Sequence, residues 1–201
     1  MTENEIHEIC YKYNIDDYSI NSDMSIDVNQ TVDLYNKSLK ELPINFNKIN
    51  GTFICDNNNL TSLKGSPKEV SHDFFCRDNN LITLKDAPIL IGGNLHCDRN
   101  RLIELNKNIE VYSIFFDEND VKDLISFPNI KGITMSDFNP IYQILQLFES
   151  PSCYEHIEFF NDLDIIQQNG EVVILERLNY FLQDLGFDET SGDSIIDYKI
   201  I

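Results

Sequence analysis

A sequence repeat in the middle of the chain constrains its fold more than any other feature. Cys55, Cys76 and Cys97 follow one another at a constant spacing, and their neighbours repeat in the same step. Phenylalanine or leucine lies two residues before each cysteine, asparagine three residues after it, and leucine five and eight residues after it. A period of about 21 residues predicts a solenoid, in which each repeat forms one coil and stacked coils bury each other's apolar faces.

Weaker copies extend the repeat on both sides. One contains Leu34, Leu39 and Leu42, and a partial last copy contains Ile133 and Phe138. The repeat therefore predicts about six coils. The divisions that we predict are an N-terminal cap at 1–30, the solenoid at 31–138, a helical C-terminal cap with a small hairpin at 139–186, and a tail at 187–201.

One coil is expected to consist of a short strand followed by a turn. Alternate side chains of a strand point to opposite sides, so Phe53 and Cys55 face inward while Ile54 and Asp56 face outward. Strands from successive coils then form a parallel sheet. Asn58 follows at the turn, where a buried amide can bond backbone groups of its own coil and of the adjacent coil.

The cysteine ladder, formed by Cys55, Cys76 and Cys97, has two interpretations. Aligned thiolates are typical of metal sites and nucleophiles, but the repeat places no histidine or acidic partner on the same inward face. Inward-facing cysteine otherwise packs as a small hydrophobic residue. A strand spacing of about 5 Å also holds neighbouring sulfurs too far apart for a disulfide. We therefore expect packing in the core, with no metal or other cofactor.

The run Cys-x-x-Asn-x-Leu-x-x-Leu-x-Gly-x-Pro at 55–67 resembles the repeat of a family of leucine-rich-repeat proteins encoded by tailed bacteriophages, other large DNA viruses and bacteria. The segments 39–43 and 139–142 resemble the lead-in and the C-terminal cap of that family. The resemblance implies an α/β solenoid of the leucine-rich-repeat class, with a parallel β-sheet on its concave face, helical N- and C-terminal caps, and an interaction role. His72 and Asp73 replace the usual glycine of a coil entry, which predicts a less regular coil.

Both ends of the chain are expected to be helical, because a solenoid needs its terminal core edges covered. Residues 3–13 place apolar side chains on one helical face. The C-terminal signals are, in order, an N-cap at Asn139 before Pro140, a capping box at Ser152 and Glu155, a hairpin turn at Asn169-Gly170, and a helix over 175–185 that ends at Gly186. The tail is expected to be poorly ordered unless Ile195, Ile196 and Tyr198 dock.

The net charge of −19 limits the partners that the chain can bind. Nucleic acid and anionic membranes bind proteins through Lys and Arg, and this chain has only 15 basic residues against 34 acidic ones. The acidity is concentrated at the ends, with −10 over 140–201 and only −3 over 31–139. The first ten residues do not resemble a secretion signal, and no apolar run is long enough to span a membrane. We expect a soluble, cytoplasmic protein that binds neither nucleic acid nor membrane.

The outward positions of the strands carry the candidate binding site. The middle outward positions of successive strands are Tyr35, Ile54, Phe75, His96, Phe115 and Thr134, and the polar positions beside them include Asp56, Arg77, Asp98 and Asp117. An apolar centre with a polar rim is typical of a protein-binding surface. The alternative is that aromatic residues are favoured in strands whatever they face.

These patterns favour a non-enzymatic protein-binding module. With the resemblance, they suggest a viral protein that binds or inhibits a host or defence protein through its concave face. Two alternatives stay open: an acidic decoy that imitates nucleic acid and blocks a DNA-binding enzyme, and a virion-associated module that binds a cell surface. The four histidines lie in different elements, and none has a nucleophile and a carboxylate at neighbouring repeat positions. No catalytic residue is therefore predicted, and His96 is expected to be a contact residue.

Overall fold

The computed structural model describes residues 1–117, 119–122, 132–134, 140–148, 156–167 and 170–201. Up to residue 134 the elements are α1 (Glu3–Lys12), β1 (Tyr18–Ile20), β2 (Ile26–Val28), β3 (Val32–Asp33), β4 (Phe46–Ile49), β5 (Phe53–Ile54), β6 (Glu69–Val70), β7 (Phe74–Phe75), β8 (Leu90–Ile91), β9 (Asn94–His96), β10 (Ser113–Phe115) and β11 (Gly132–Thr134). They are followed by α2 (Pro140–Leu145), a 3-10 turn (Gln146–Phe148), α3 (Ile157–Asp162), β12 (Ile166–Gln167), β13 (Val172–Val173), α4 (Leu175–Asp184) and β14 (Lys199–Ile200).

The middle of the chain is a solenoid of parallel strands that form two sheets. The front sheet has the strand order β11-β10-β9-β7-β5-β3, and all of its strands are parallel. The back sheet has the order β1-β2-β4-β6-β8, in which only the β1–β2 pair is antiparallel. The predicted solenoid is confirmed. Within the described residues, the front sheet has six strands, but only four turns, β2-β3 to β8-β9, place a strand in both sheets.

Each coil turns its apolar side chains inward, as the alternation predicts. Phe53 and Phe74 face each other across β5 and β7, are fully buried, and stack with ring centroids 5.5 Å apart. The cysteines of the ladder are equally buried, and each follows directly after strand β5, β7 or β9. Ile49, Val70 and Ile91 add a buried row from the back sheet. Burial of each large apolar side chain contributes about 1.5–3 kcal/mol, so this shared core holds the two sheets together.

A row of buried asparagines connects each coil to the one before it. This asparagine ladder consists of Asn58, Asn79, Asn100 and Asn119. In Asn79, Oδ1 accepts the N–H of Leu60 at 2.9 Å, and Nδ2 donates to the carbonyls of Cys55 and Cys76 at 3.0 and 3.2 Å. The other members repeat the pattern. These amides satisfy backbone groups that the turn would leave buried without a partner, and the predicted bonding to adjacent coils is confirmed.

Helix α1 precedes the first coil. Thr2 is its N-cap, and a reciprocal pair of hydrogen bonds joins Thr2 to Glu5, which satisfies two backbone N–H groups of the first turn. Ile6 and Cys10 are buried within the same hydrophobic core as the coils. In the described parts of the chain, no helix combines the length and the apolar character needed to cross a bilayer.

The C-terminal segment forms a small sheet with helices around it. β12 and β13 pair as the predicted antiparallel hairpin, and β14 adds a parallel strand. Helix α4 ends before Gly186, whose φ of 81° suits the predicted C-terminal stop. The tail was expected to be poorly ordered unless three of its residues dock; of these, Ile195 and Tyr198 are buried and Ile196 is exposed. Asn139, Ser152, Glu155 and Asn169 lie outside the described residues.

Tyr198 joins this C-terminal segment to the solenoid. Its hydroxyl donates to the carbonyl of Lys122 at 2.8 Å, across 76 positions of sequence. Tyr198 also belongs to the same hydrophobic core as the coils. The last fifteen residues are therefore packed against the protein over part of their length.

Candidate functional site

The front sheet aligns one residue from each strand into a row that we call the central stripe. Parallel pairing places Asp33, Ile54, Phe75, His96, Phe115 and Thr134 side by side in that order. The prediction for the first coil was wrong by two residues, because Asp33 and not Tyr35 pairs with Ile54. The buried Leu34 takes the place of Cys55 in that coil, and its outward neighbour is therefore Asp33. Asp33 lies one full repeat before Ile54, so the 21-residue spacing alone would have identified it as the stripe residue of the first coil.

The aromatic rings of the stripe stack on one another along the sheet. The centroids of Phe75 and His96 are 4.3 Å apart at an interplanar angle of 10°, and those of His96 and Phe115 are 4.3 Å apart at 16°. This spacing follows from the strand separation of about 4.8 Å. Both faces of the His96 ring are thus covered by phenyl rings, and the ring edges are left for solvent or a partner.

His96 is an uncharged hydrogen-bonding group inside this apolar row. Burial lowers the pKa of its imidazole, and the positive charge of Arg77 lowers it further. A neutral imidazole has one N–H donor and one acceptor nitrogen. Among the described residues neither ring nitrogen has a hydrogen-bond partner, so both are available to a bound molecule.

Beside the central stripe runs a second row, the flanking row, which consists of Tyr35, Asp56, Arg77, Asp98 and Asp117. Tyr35 is the most exposed of them, with 52% of its surface accessible. Asp56 and Asp98 were expected to face solvent, but they are only 3% and 8% exposed. Each carboxylate turns along the solenoid and accepts the backbone N–H of the next coil, from Arg77 at 2.7 Å and from Asp117 at 3.1 Å.

Arg77 connects the two rows. Its Nε and Nη2 donate to Oδ2 of Asp56 at 2.9 and 2.7 Å, and its guanidinium carbon lies 5.0 Å from the centre of the Phe75 ring. Two charge-assisted hydrogen bonds to one carboxylate oxygen are stronger and more directional than a single charged contact. Burial raises the pKa of the Asp56 carboxyl, and the hydrogen bonds from Arg77 oppose that shift. Arg77 thus holds a carboxylate that would otherwise be costly to bury.

The cysteine ladder behaves as core and not as a site. Burial raises the pKa of all three thiols well above the ordinary range, so they are held in the unreactive protonated form. Cys55 and Cys97 donate weakly to the carbonyls of Phe75 and Phe115, both at 3.3 Å. Within the described residues, no group of three or more His, Cys, Asp or Glu side chains is arranged to hold a metal ion.

Comparison with known proteins gives no relative from which residue roles could be transferred: no family model, no curated protein and no solved structure matches the chain. The assignment of a site therefore depends on geometry alone. Of the predicted contact residues, the structure brings Ile54, Phe75, His96 and Phe115 into one row, with Arg77, Asp98 and Asp117 beside it.

Proposed function

We propose that this chain is a leucine-rich-repeat solenoid without enzymatic activity, which binds another protein through the central stripe. The observation that carries the proposal is the stack of Phe75, His96 and Phe115 on the outer face of the front sheet. These side chains are half-buried by one another and are not covered by the hydrophobic core of their own chain. Aromatic side chains held rigidly in this way lose little conformational entropy on binding.

The chemistry of the stripe suits a protein better than a sugar or a nucleic acid. Sugars and bases stack on the faces of aromatic rings, and here the faces of His96 are covered by Phe75 and Phe115. Phosphates would meet the carboxylates of the flanking row as well as a net charge of −19. A protein surface supplies what this site can accept, namely apolar side chains for the ring edges and polar groups for the His96 nitrogens.

The partner that we propose is a host or defence protein, met in the cytoplasm of an infected cell. The resemblance of the repeat to viral and bacteriophage leucine-rich-repeat proteins supports this choice. In the same proposal, helix α1 and the C-terminal helices act as caps that cover the two ends of the core. Burial of Ile6 in α1 and of Ile141 in α2 within the common core supports the capping role.

Capture of partners from a bacterial lysate tests the proposal. The bait is the full chain, and it is compared with the stripe variant, which carries Phe75→Thr and Phe115→Thr. Both proteins are tested at about 0.1 M and about 0.5 M salt. Threonine suits this position, since the chain itself has Thr134 at the same register. The matched control is Tyr11→Ala/Tyr180→Ala, which removes two exposed aromatic residues outside the stripe.

We expect a specific partner that survives high salt, binds the control variant, and is lost by the stripe variant. Thermal unfolding of all three proteins establishes that the stripe variant is folded. Capture of nucleic-acid enzymes only at low salt, with equal recovery by the stripe variant, would contradict the proposal and favour an acidic decoy.

A further inference from the structure

Two arginines of this solenoid each form an ion pair with an aspartate of the preceding coil. Arg77 grips Asp56 through Nε and Nη2. Arg99 uses the same two nitrogens with Asp78 but donates to both carboxylate oxygens, Nε to Oδ1 at 2.6 Å and Nη2 to Oδ2 at 2.7 Å, whereas both Arg77 donors bind Oδ2 of Asp56. In both pairs the arginine follows the aspartate by one full repeat, so each carboxylate receives a guanidinium from the next coil.

Asp98 occupies the place of Asp56 but lacks the arginine. Its Oδ1 accepts the backbone N–H of the next coil at 3.1 Å, as Oδ1 of Asp56 does. The residue that supplies this N–H is Asp117, where the equivalent coil has Arg77. Oδ2 of Asp98, the oxygen that takes the guanidinium at Asp56, has no side-chain partner among the described residues.

The charge of the Asp98 carboxylate is therefore buried with incomplete compensation. Burial raises its pKa, and the negative charge of Asp117 adds to that shift. The backbone N–H groups of Asp117 and of Asp98 itself oppose the shift, as does the positive charge of Arg77, although Arg77 makes its hydrogen bonds to Asp56. An incompletely paired carboxylate costs several times more free energy in the protein interior than at the surface. The site also stays slightly open, since Asp98 is 8% exposed where the paired Asp56 is 3% exposed.

The position of Asp98 connects this vacant pairing site to the central stripe. Asp98 follows His96 by two residues on the same strand end, and Asp117 follows Phe115 in the same way. A cation bound at Asp98 thus lies beside the stacked rings. Arginine fits better than lysine here, because its planar fork matches a carboxylate and its weak hydration lowers the cost of leaving water.

We infer that the binding partner supplies an arginine whose guanidinium pairs with Oδ2 of Asp98, while a neighbouring apolar residue lies on the ring edges of His96 and Phe115. This inference rests on the proposed function, because it names the chemistry of the partner at the same surface. At Asp98, the partner's arginine forms the same kind of ion pair that Arg77 forms with Asp56 within the chain.

Selection of peptides from a random phage-displayed library on the immobilised full chain tests the inference. The best binders are synthesised in two forms, with arginine and with citrulline, which is nearly isosteric but uncharged. Affinity is then measured against the wild type, Asp98→Asn, the stripe variant and Asp86→Asn. Asparagine keeps the oxygen that accepts the Asp117 N–H, and Asp86 is an exposed aspartate that provides the same change in net charge.

We expect the selected peptides to contain an arginine next to an apolar residue. Citrulline in the peptide and Asp98→Asn in the protein should each weaken binding by about 30-fold or more, and the two changes together should add little, since they remove the same pair. Asp86→Asn should change affinity by less than about twofold.

Two results overturn the inference, and they differ in what they say about the proposed function. Peptides that lose affinity for the stripe variant but tolerate citrulline and Asp98→Asn would show that the stripe binds without the arginine. A library that yields no peptide dependent on the stripe would overturn the inference and the proposed function together.

Discussion

Asn79 should be among the residues on which the stability of the solenoid depends most. Replacement by alanine removes the acceptor of the Leu60 N–H and the donor to the carbonyls of Cys55, Cys76 and Arg77. The three carbonyls each keep another donor, because the amides of Asn58 and Asn100 and the N–H of Asn57 bond them too. The N–H of Leu60 is fully buried and keeps none among the described residues.

The expected cost of Asn79→Ala follows from this difference. A buried N–H without a partner costs about 1–3 kcal/mol. The three carbonyls each lose one of two hydrogen bonds, which costs less, so the total loss of stability is about 3 kcal/mol. Asn80→Ala is the matched control, because Asn80 is adjacent and its side chain makes no hydrogen bond within the described structure. The control should remain within about 0.5 kcal/mol of the wild type.

Urea unfolding followed by circular dichroism measures both variants. The midpoint should fall for Asn79→Ala while the slope of the transition stays unchanged, which would indicate that the same surface is exposed on unfolding. A free energy of unfolding for Asn79→Ala within about 1 kcal/mol of that for Asn80→Ala would refute the reasoning, because the backbone groups at the turn would then have found other partners.

The two neighbouring phenylalanines of β7 should differ in effect: Phe74→Ala, in the core, should cost about 3–5 kcal/mol in urea unfolding, and Phe75→Ala about 1–2 kcal/mol. Equal costs would contradict the register. Asp98→Asn should raise Tm at about pH 7, because a carboxyl whose folded pKa is raised loses stability as the pH rises through that value. The gain should vanish below about pH 4 and be absent from Asp86→Asn; a gain that persists in acid would rule out the carboxylate as its source. The thiols of the cysteine ladder should react with iodoacetamide only after unfolding, and rapid labelling of the native protein, read by mass spectrometry, would argue against core packing.

Identical residues at a fixed step made much of the solenoid predictable. Phe53 and Phe74 face the same environment one coil apart, so a single assignment of inward and outward positions holds for both. The asparagine ladder was predictable for the same reason. Outside the repeat, local signals such as Gly186 after α4 were sufficient to predict where an element ends.

The back sheet was not predictable from alternation. Ile49, Val70 and Ile91 recur once in every repeat, but β6 and β8 have only two residues each. A two-residue strand contributes only one inward residue per coil. A turn would give the same sequence pattern, so the pattern does not distinguish a strand from a turn. The strands form because the parallel neighbours in adjacent coils supply their hydrogen bonds, and that information lies in the stacking of coils.

The burial of Asp56 and Asp98 was missed because alternation stops where the strand ends. Asn57 and Arg99, the residues that follow, have φ values of 54° and 50°, so the chain leaves the strand with a sharp turn. The aspartate side chain then lies along the solenoid axis and reaches the backbone of the next coil. This turn at the end of the strand places both the Asp56 carboxylate, which pairs with Arg77, and the Asp98 carboxylate, which has no arginine partner among the described residues, beside the central stripe.

Hydroxyl-radical footprinting of the chain, with and without a captured partner, tests most directly whether the central stripe is the binding surface. The method reads the oxidation of aromatic side chains one residue at a time. We predict that the partner protects Phe75, His96 and Phe115, while the exposed Tyr11 and Tyr180 are oxidised equally in both states. Unchanged oxidation of the three stripe residues, with protection elsewhere on the chain, would contradict the account.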